Sequence, residues 1–278
     1  MKDRIEINIE NHIAHVEMIR ADKMNALDGD MMDALIAAGE SLQDNKDVRA
    51  IVLSGRGKAF CAGLDKSNFE SMASPISGGG GDTDAAASDT GGKRRKLIER
   101  TNGVANRAQK TAWIWRELQA PVIMAAQGFA LGGGFQIFMG ADIRYAAPDT
   151  RFSIMEIRWG LVPDMGTTHV MARVAREDIV KELALTGRIF EAPEALAHGF
   201  LTRITDDPVA HALETAKYIA GRNPAAVRGI KRLFNEPADK FATDTLLLES
   251  ALQDPIIGSA EQREAVMAEL EGRPANYN

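Results

Sequence analysis

Near the start of the chain, apolar Ile5, Ile7 and Ile9 alternate with polar residues, the pattern breaks at Glu10, Asn11 and His12, and it resumes from Ile13 to Met18. A period of two on either side of a polar turn predicts an opening β-hairpin. The period then changes. From Met31 through Leu35, Ala38 and Leu42 the apolar positions fall three and four apart, which predicts a helix, with Asp28 placed to cap it and "QDNKD" ending it. Three runs, "RAIVLSG" at 49–55, "PVIMAAQG" at 121–128 and "DIRYAA" at 142–147, are short and continuously apolar. Separated by helical segments, such runs predict strands buried on both faces, hence an α/β core. After Arg176 no run reads as a strand, and "REDIVKELALTG", "APEALAHG", "VAHALETAKYIAG", "AAVRGIKRLF" and "AEQREAVMAELEG" read as helices bounded by Gly or Pro. The expected organisation is a core over 1–200 and a helical region over 201–278. The stretch 74–96, rich in Gly, Ser, Asp and Ala, has too little apolar surface to offset its ordering entropy. It is expected to be a mobile loop, either an inert insertion or a flap over a pocket.

Composition narrows the function. With 278 residues, 45% of them hydrophobic, the chain is long enough to bury a sizeable core. A formal charge of -6, with no basic face interleaved with aromatics, argues against a nucleic-acid partner. The charged, alternating N-terminus has no signal-like apolar region and no later run approaches a membrane span, so a cytoplasmic protein without membrane partners is expected. The single cysteine, Cys61, excludes a disulfide framework and a cysteine cluster, and His12 and His15, three apart in an alternating segment, point to opposite faces; no metal site is expected.

Two glycine-bearing turns carry the candidate chemistry. "SGRGKAFCAGLD" at 54–65 follows the first buried run, and "AAQGFALGGGFQ" at 125–136 follows the second. Helix N-termini leave N–H groups unpaired, and glycine lets a ligand approach that backbone, so two such turns can aim two amides at one developing oxyanion. Phosphate binding fits less well: Lys58 is followed by Ala59 where a P-loop needs Ser or Thr, and Gly55, Gly57 and Gly63 lack the dinucleotide spacing. Close backbone packing is the plain structural alternative for both turns.

Four segments, "KMNALD" at 23–28, "GKAFCAGLD" at 57–65, "PVIMAAQGFALGGGFQIFMGADIRYAA" at 121–147 and "FSIMEIRWGLVPDMGTTHVMARV" at 152–174, occur in an order that resembles the enoyl-CoA hydratase/isomerase (crotonase) superfamily. The resemblance implies a spiral of ββα units followed by a helical trimerisation region, hence a homotrimer or dimer of trimers. It also implies an acyl-CoA thioester substrate, coenzyme A being part of that substrate and not a separate cofactor. By the same resemblance the backbone N–H groups of Leu64 and Gly133 hold the thioester oxygen. Met24, Ala26, Ala62, Gly63, Asp65 and Gly132 line the coenzyme A cleft, and Lys231 approaches the coenzyme A phosphates, often from a neighbouring subunit, its alternative being a solvated lysine on a helix face.

The proton-transfer residues follow from the resemblance and from the demands of acid–base chemistry at carbon, which needs a carboxyl whose pKa is adjusted by burial. Glu156 matches a hydratase glutamate and is flanked by Ile154, Met155, Ile157 and Trp159; an ion pair with Arg151 or Arg158 is its structural alternative. Asp164 resembles the catalytic aspartate of dienoyl-CoA isomerases, and capping the following helix is its alternative. Gln136 stands where a standard hydratase has its first glutamate, and an amide cannot exchange a proton as a carboxyl does. The expectation is an acyl-CoA lyase or isomerase working through a thioester enolate. A catalytically weak acyl-CoA-binding protein, or a hydrolase or decarboxylase on the same scaffold, stays open, although no G-x-S-x-G elbow occurs. Trp113, Trp115, Phe135 and Trp159 are expected as core or pocket wall.

Overall fold

The opening alternation forms β1 (Ile5–Glu10) and β2 (Ile13–Met18), paired antiparallel. The turn between them places Asn11 and His12 at φ 50 and 67, the left-handed values that a tight hairpin needs. A computed structural model describes residues 3–68, 96–236 and 238–277. The expected loop at 74–96 therefore lies, except for Lys96, outside the described residues.

The three apolar runs become β3 (Ala50–Gly55), β4 (Val122–Ala126) and β6 (Ile143–Ala146), every residue of β3 and β4 being buried. They continue the sheet from β2 in parallel. Helix α1 (Gly29–Gln43) starts at Asp28, whose carboxylate accepts from Met31 N–H at 2.8 Å, and buries its periodic face on α2 (Arg107–Glu117) and the sheet. At Gly128 the chain leaves the sheet; its φ is +64 and a Cβ there would stand 1.9 Å from Lys58 O, so only glycine fits. Beyond it, β5 (Phe129–Leu131) opens a second sheet with β7 (Arg151–Ser153), and α3 (Gly133–Met139) follows directly.

Two strands appear past Arg176, where none was expected: β8 (Phe190–Glu191) and β9 (Arg203–Ile204). Each has two residues, too short to display a period. β8 completes the small sheet in the order β5-β7-β8, and β9 pairs in parallel with β6 as the edge of the six-stranded sheet. Helix α7 (Pro208–Ala220) packs Ala212 and Ala216 on the same sheet. The six-stranded sheet thus receives β9 and α7 from beyond residue 200.

The other helices are α4 (Thr168–Val174), α5 (Glu177–Thr186), α6 (Ala192–Ala197), α8 (Pro224–Asn235), α9 (Ala242–Gln253) and α10 (Ala260–Glu271). Between the two sheets Phe135 meets Phe152, Phe190 and Phe200 edge-on at centroid distances of 5.7, 5.6 and 5.5 Å. Burying each ring contributes roughly 2–3 kcal/mol, and the edge-on contacts add to that. This cluster anchors α3, so the glycines at its start are held firmly.

Candidate active site

The two glycine turns meet because they are joined as strands. Cys61 N–H donates to Phe129 O at 2.9 Å, and Leu131 N–H donates to Cys61 O at 3.1 Å. The pairing is close: a Cβ on Gly134 would stand 2.5 Å from Cys61 O. Further along, Leu64 bridges Leu27 through Leu27 N–H to Gly63 O and Asp65 N–H to Leu27 O, at 2.8 and 2.9 Å. Strand geometry then points Leu64's own N–H the other way. Gly132 precedes α3 with a φ of 50 and gives it no side-chain cap, so Gly133 offers an N–H at the helix start. Among the described residues neither the Leu64 nor the Gly133 N–H donates to a protein acceptor. A Cβ on Gly63 would lie 3.9 Å from Gly133 N, which shows how near the turns come.

Both amides open on a cleft of about 480 Å³ whose wall also carries Met24, Ala26, Ala62, Gly63, Asp65, Gly132, Gln136, Glu156 and Asp164. Every candidate residue but one therefore borders a single cavity. Asp65 is held by Arg20 at 2.6 Å. Burial pushes its pKa up, but the bonds from Arg20 and Ser67 more than offset this and hold it below the usual carboxylate range.

Lys231 is the exception and a correction. It does not border the cleft: buried on α8, its ammonium lies 2.8 Å from Asp142 Oδ2 and donates to Ala120 O at 3.1 Å and Trp115 O at 3.3 Å. With its donors taken inside the chain, it is neither a solvated lysine nor a free anchor for a phosphate.

Glu156 opens a short 3-10 turn (Glu156–Trp159) and is buried. Neither arginine pairs with it, since Arg158 pairs with Glu269 and Arg151 lies over the Phe129 ring. Its Oε1 accepts from Gln136 Nε2 at 2.6 Å, whereas its Oε2 is buried with no hydrogen-bond partner. Burial raises its pKa to about 7, against the lowering effect of the Gln136 bond. Gln136 is fixed in turn: its Oε1 accepts from Met165 N–H at 2.9 Å, so its nitrogen must face Glu156. Gln136 positions the glutamate and exchanges no proton itself.

Asp164 does not cap α4; that position is Thr167's. Its carboxyl borders the cleft, and burial, followed by the charges of Glu249, Glu156 and Asp254, pushes its pKa well above the usual carboxylate range. Glu249, on α9 and unanticipated from the sequence, is buried and accepts from Gly166 N–H at 2.9 Å and Gln109 Nε2 at 3.0 Å, with Thr168 Oγ1 as a further donor. Burial pushes its pKa up, against the lowering effect of these donors. It fixes the Asp164–Gly166 segment, and its charge opposes ionisation of Asp164. Among the described residues these carboxyls form no cluster suited to a metal.

The family model for enoyl-CoA hydratase/isomerase matches residues 13–276. The chain belongs to the enoyl-CoA hydratase/isomerase family. It is 32% identical over 226 residues to the mitochondrial Δ(3,5)-Δ(2,4)-dienoyl-CoA isomerase of Mus musculus, an alignment covering 80% of this chain and 65% of the mouse one. The peroxisomal enzyme of that name from Arabidopsis thaliana is 28% identical, over 98% of this chain and 95% of its own. A probable enoyl-CoA hydratase of Mycobacterium tuberculosis is 27% identical, over 99% and 98%. Among solved structures, an enoyl-CoA hydratase/isomerase from Pseudoalteromonas atlantica superposes with a TM-score of 0.82 at 24% identity, covering 99% of this chain and all (100%) of that one, which establishes the crotonase fold.

Proposed function

We propose that the protein is an acyl-CoA isomerase that moves double bonds along a conjugated chain through a thioester enolate. The observation that carries this reading is that Glu156 and Asp164, both with raised pKa, share one cleft with two unpaired amides, while the third position is the fixed amide of Gln136. Glu156, with a pKa of about 7, is ionised enough at neutrality to take a proton from the carbon beside the thioester. The released electron pair spreads through the diene and onto the thioester oxygen. There the Leu64 and Gly133 amides stabilise it, each worth about 3–4 kcal/mol at the transition state. Asp164, held protonated, returns a proton at the far end of the conjugated system. Proton exchange then restores both carboxyls, and no net proton is consumed. Syn-hydration by two carboxylates sharing a water is less favoured because Gln136 cannot ionise.

Dienoyl-CoA and enoyl-CoA thioesters incubated in deuterated water, with products read by mass spectrometry, test this. The expected result is a shifted diene carrying deuterium at the far carbon, with kcat reduced on the order of 100-fold or more in Glu156→Gln. A hydrated product, or no exchange in protein shown to bind acyl-CoA, would overturn it. Assembly into trimers, or pairs of trimers, and a cytoplasmic location belong to the same proposal. Among the described residues no helix is long and apolar enough to cross a membrane.

A further inference from the structure

Gln253, the last residue of α9, borders the cleft, and only 2% of its surface is exposed. Its orientation is determined by one bond: Oε1 accepts from Val162 N–H at 3.0 Å, and a backbone N–H can only donate, so the carboxamide oxygen must be the atom turned to Val162. The two N–H donors of Nε2 therefore face elsewhere. Among the described residues they meet no protein acceptor, yet Nε2 is not among the sealed, unpartnered polar atoms. For a side chain this buried, the exposure that remains is toward the cleft. The surrounding wall is apolar, formed by Leu97, Leu161 and Ile257. Val162 lies two residues before Asp164, which itself borders the cleft.

We propose that Gln253 is a specificity residue that recognises an oxygen on the acyl chain, a hydroxyl, oxo or carboxylate group beyond the reacting carbons, by donating from Nε2. A lone donor in an apolar wall discriminates well, because a substrate lacking the acceptor leaves it desolvated and unpaired. The inference rests on the acyl-CoA reading, and its test needs no turnover.

Dissociation constants are measured by calorimetry for saturated hexanoyl-CoA, octanoyl-CoA and decanoyl-CoA, and for the same thioesters carrying a hydroxyl or oxo group at successive positions beyond the fourth carbon, or a terminal carboxylate. The expected result is a substituted thioester that binds at least about tenfold tighter than its plain parent. Gln253→Met removes the donor and should abolish that preference, whereas Gln253→Glu, whose carboxyl burial keeps protonated, retains both an acceptor for Val162 and a donor and should preserve it. Equal binding of plain and substituted chains by the natural protein, as when a water alone occupies the donor, or equal losses for both in Gln253→Met, would overturn the proposal. Failure of the isomerase reading would show separately, as missing deuterium exchange in protein that still binds these thioesters.

Discussion

At the scale of single residues, burial raises the pKa of two carboxyls in the site, those of Glu156 and Asp164. Glu156 has an ordinary pKa of 4.5 and a folded value raised to about 7 by burial. Between those values the folded chain holds a proton that the unfolded chain has lost, so stability falls as pH rises through the window and levels above it. Glu156→Gln removes this penalty while still accepting from Gln136. Denaturant titration at pH 8 should find it more stable than the parent by up to about 3 kcal/mol, with the gain vanishing near pH 4. The reaction should need Glu156 ionised and Asp164 protonated. The rate-against-pH curve is then a bell, one limb set by ionisation of Glu156 near 7 and the other by loss of the Asp164 proton, whose pKa burial raises. Three carboxyls, on Glu249, Glu156 and Asp254, face Asp164, and Arg100 faces both Glu249 and Asp254. Glu249→Gln removes one negative charge from this set, so the alkaline limb should move to lower pH with kcat reduced several-fold. A fall in kcat with an unmoved limb would reduce Glu249 to a packing role.

At the scale of elements, the joined turns should be intolerant of a single methyl group. Gly134→Ala would place its Cβ 2.5 Å from Cys61 O and 2.8 Å from Cys61 Cβ, forcing apart the segments that carry the Leu64 and Gly133 amides. A loss of about 1–3 kcal/mol in stability is expected. The fall in kcat should exceed the change in KM, because the amides act most strongly on the enolate. Lys231→Met tests another join. It removes the cation that ties α8 to Asp142 and to the carbonyls of Trp115 and Ala120, costing on the order of 3 kcal/mol, with KM for acyl-CoA within about twofold. A large rise in KM would restore a coenzyme A role. These joins also mark how far the sequence could be read. Strands β3 and β4, the Asp28 cap and both glycine turns announce themselves in local pattern, because each is dictated by neighbours a few residues away. Glu249, Gln253 and Lys231 do not. They are polar residues at buried helix positions, which hydrophobic periodicity does not pick out, and their partners lie 83, 91 and 111 positions away, at Gly166, Val162 and Ala120.

At the scale of the whole molecule, that inversion has a physical consequence. Helix α8 buries Lys231 while exposing Ile230, Leu233 and Phe234 at 58%, 69% and 70%. Helix α9 buries Glu249, Ser250 and Gln253 while exposing Leu248 and Leu252, and Phe241, just before it, is also exposed. Polar groups turned inward are satisfied by bonds to the core, and among the described residues these apolar side chains remain largely exposed. Burying these six side chains against other copies is worth roughly 1.5–3 kcal/mol each, on the order of 10 kcal/mol per chain, which competes with the 4–15 kcal/mol that association costs. We therefore expect the chain to assemble through this region. Sedimentation equilibrium should give three or six times the chain mass. Leu233→Asp combined with Phe234→Asp should lower that mass without unfolding the sheet, as far-UV circular dichroism would show. Because α9 also carries Glu249 and Gln253 on its buried face, the dissociated variant should lose part of its affinity for acyl-CoA. A monomeric parent, or a dissociated variant that binds acyl-CoA as tightly as the parent, would separate assembly from the site.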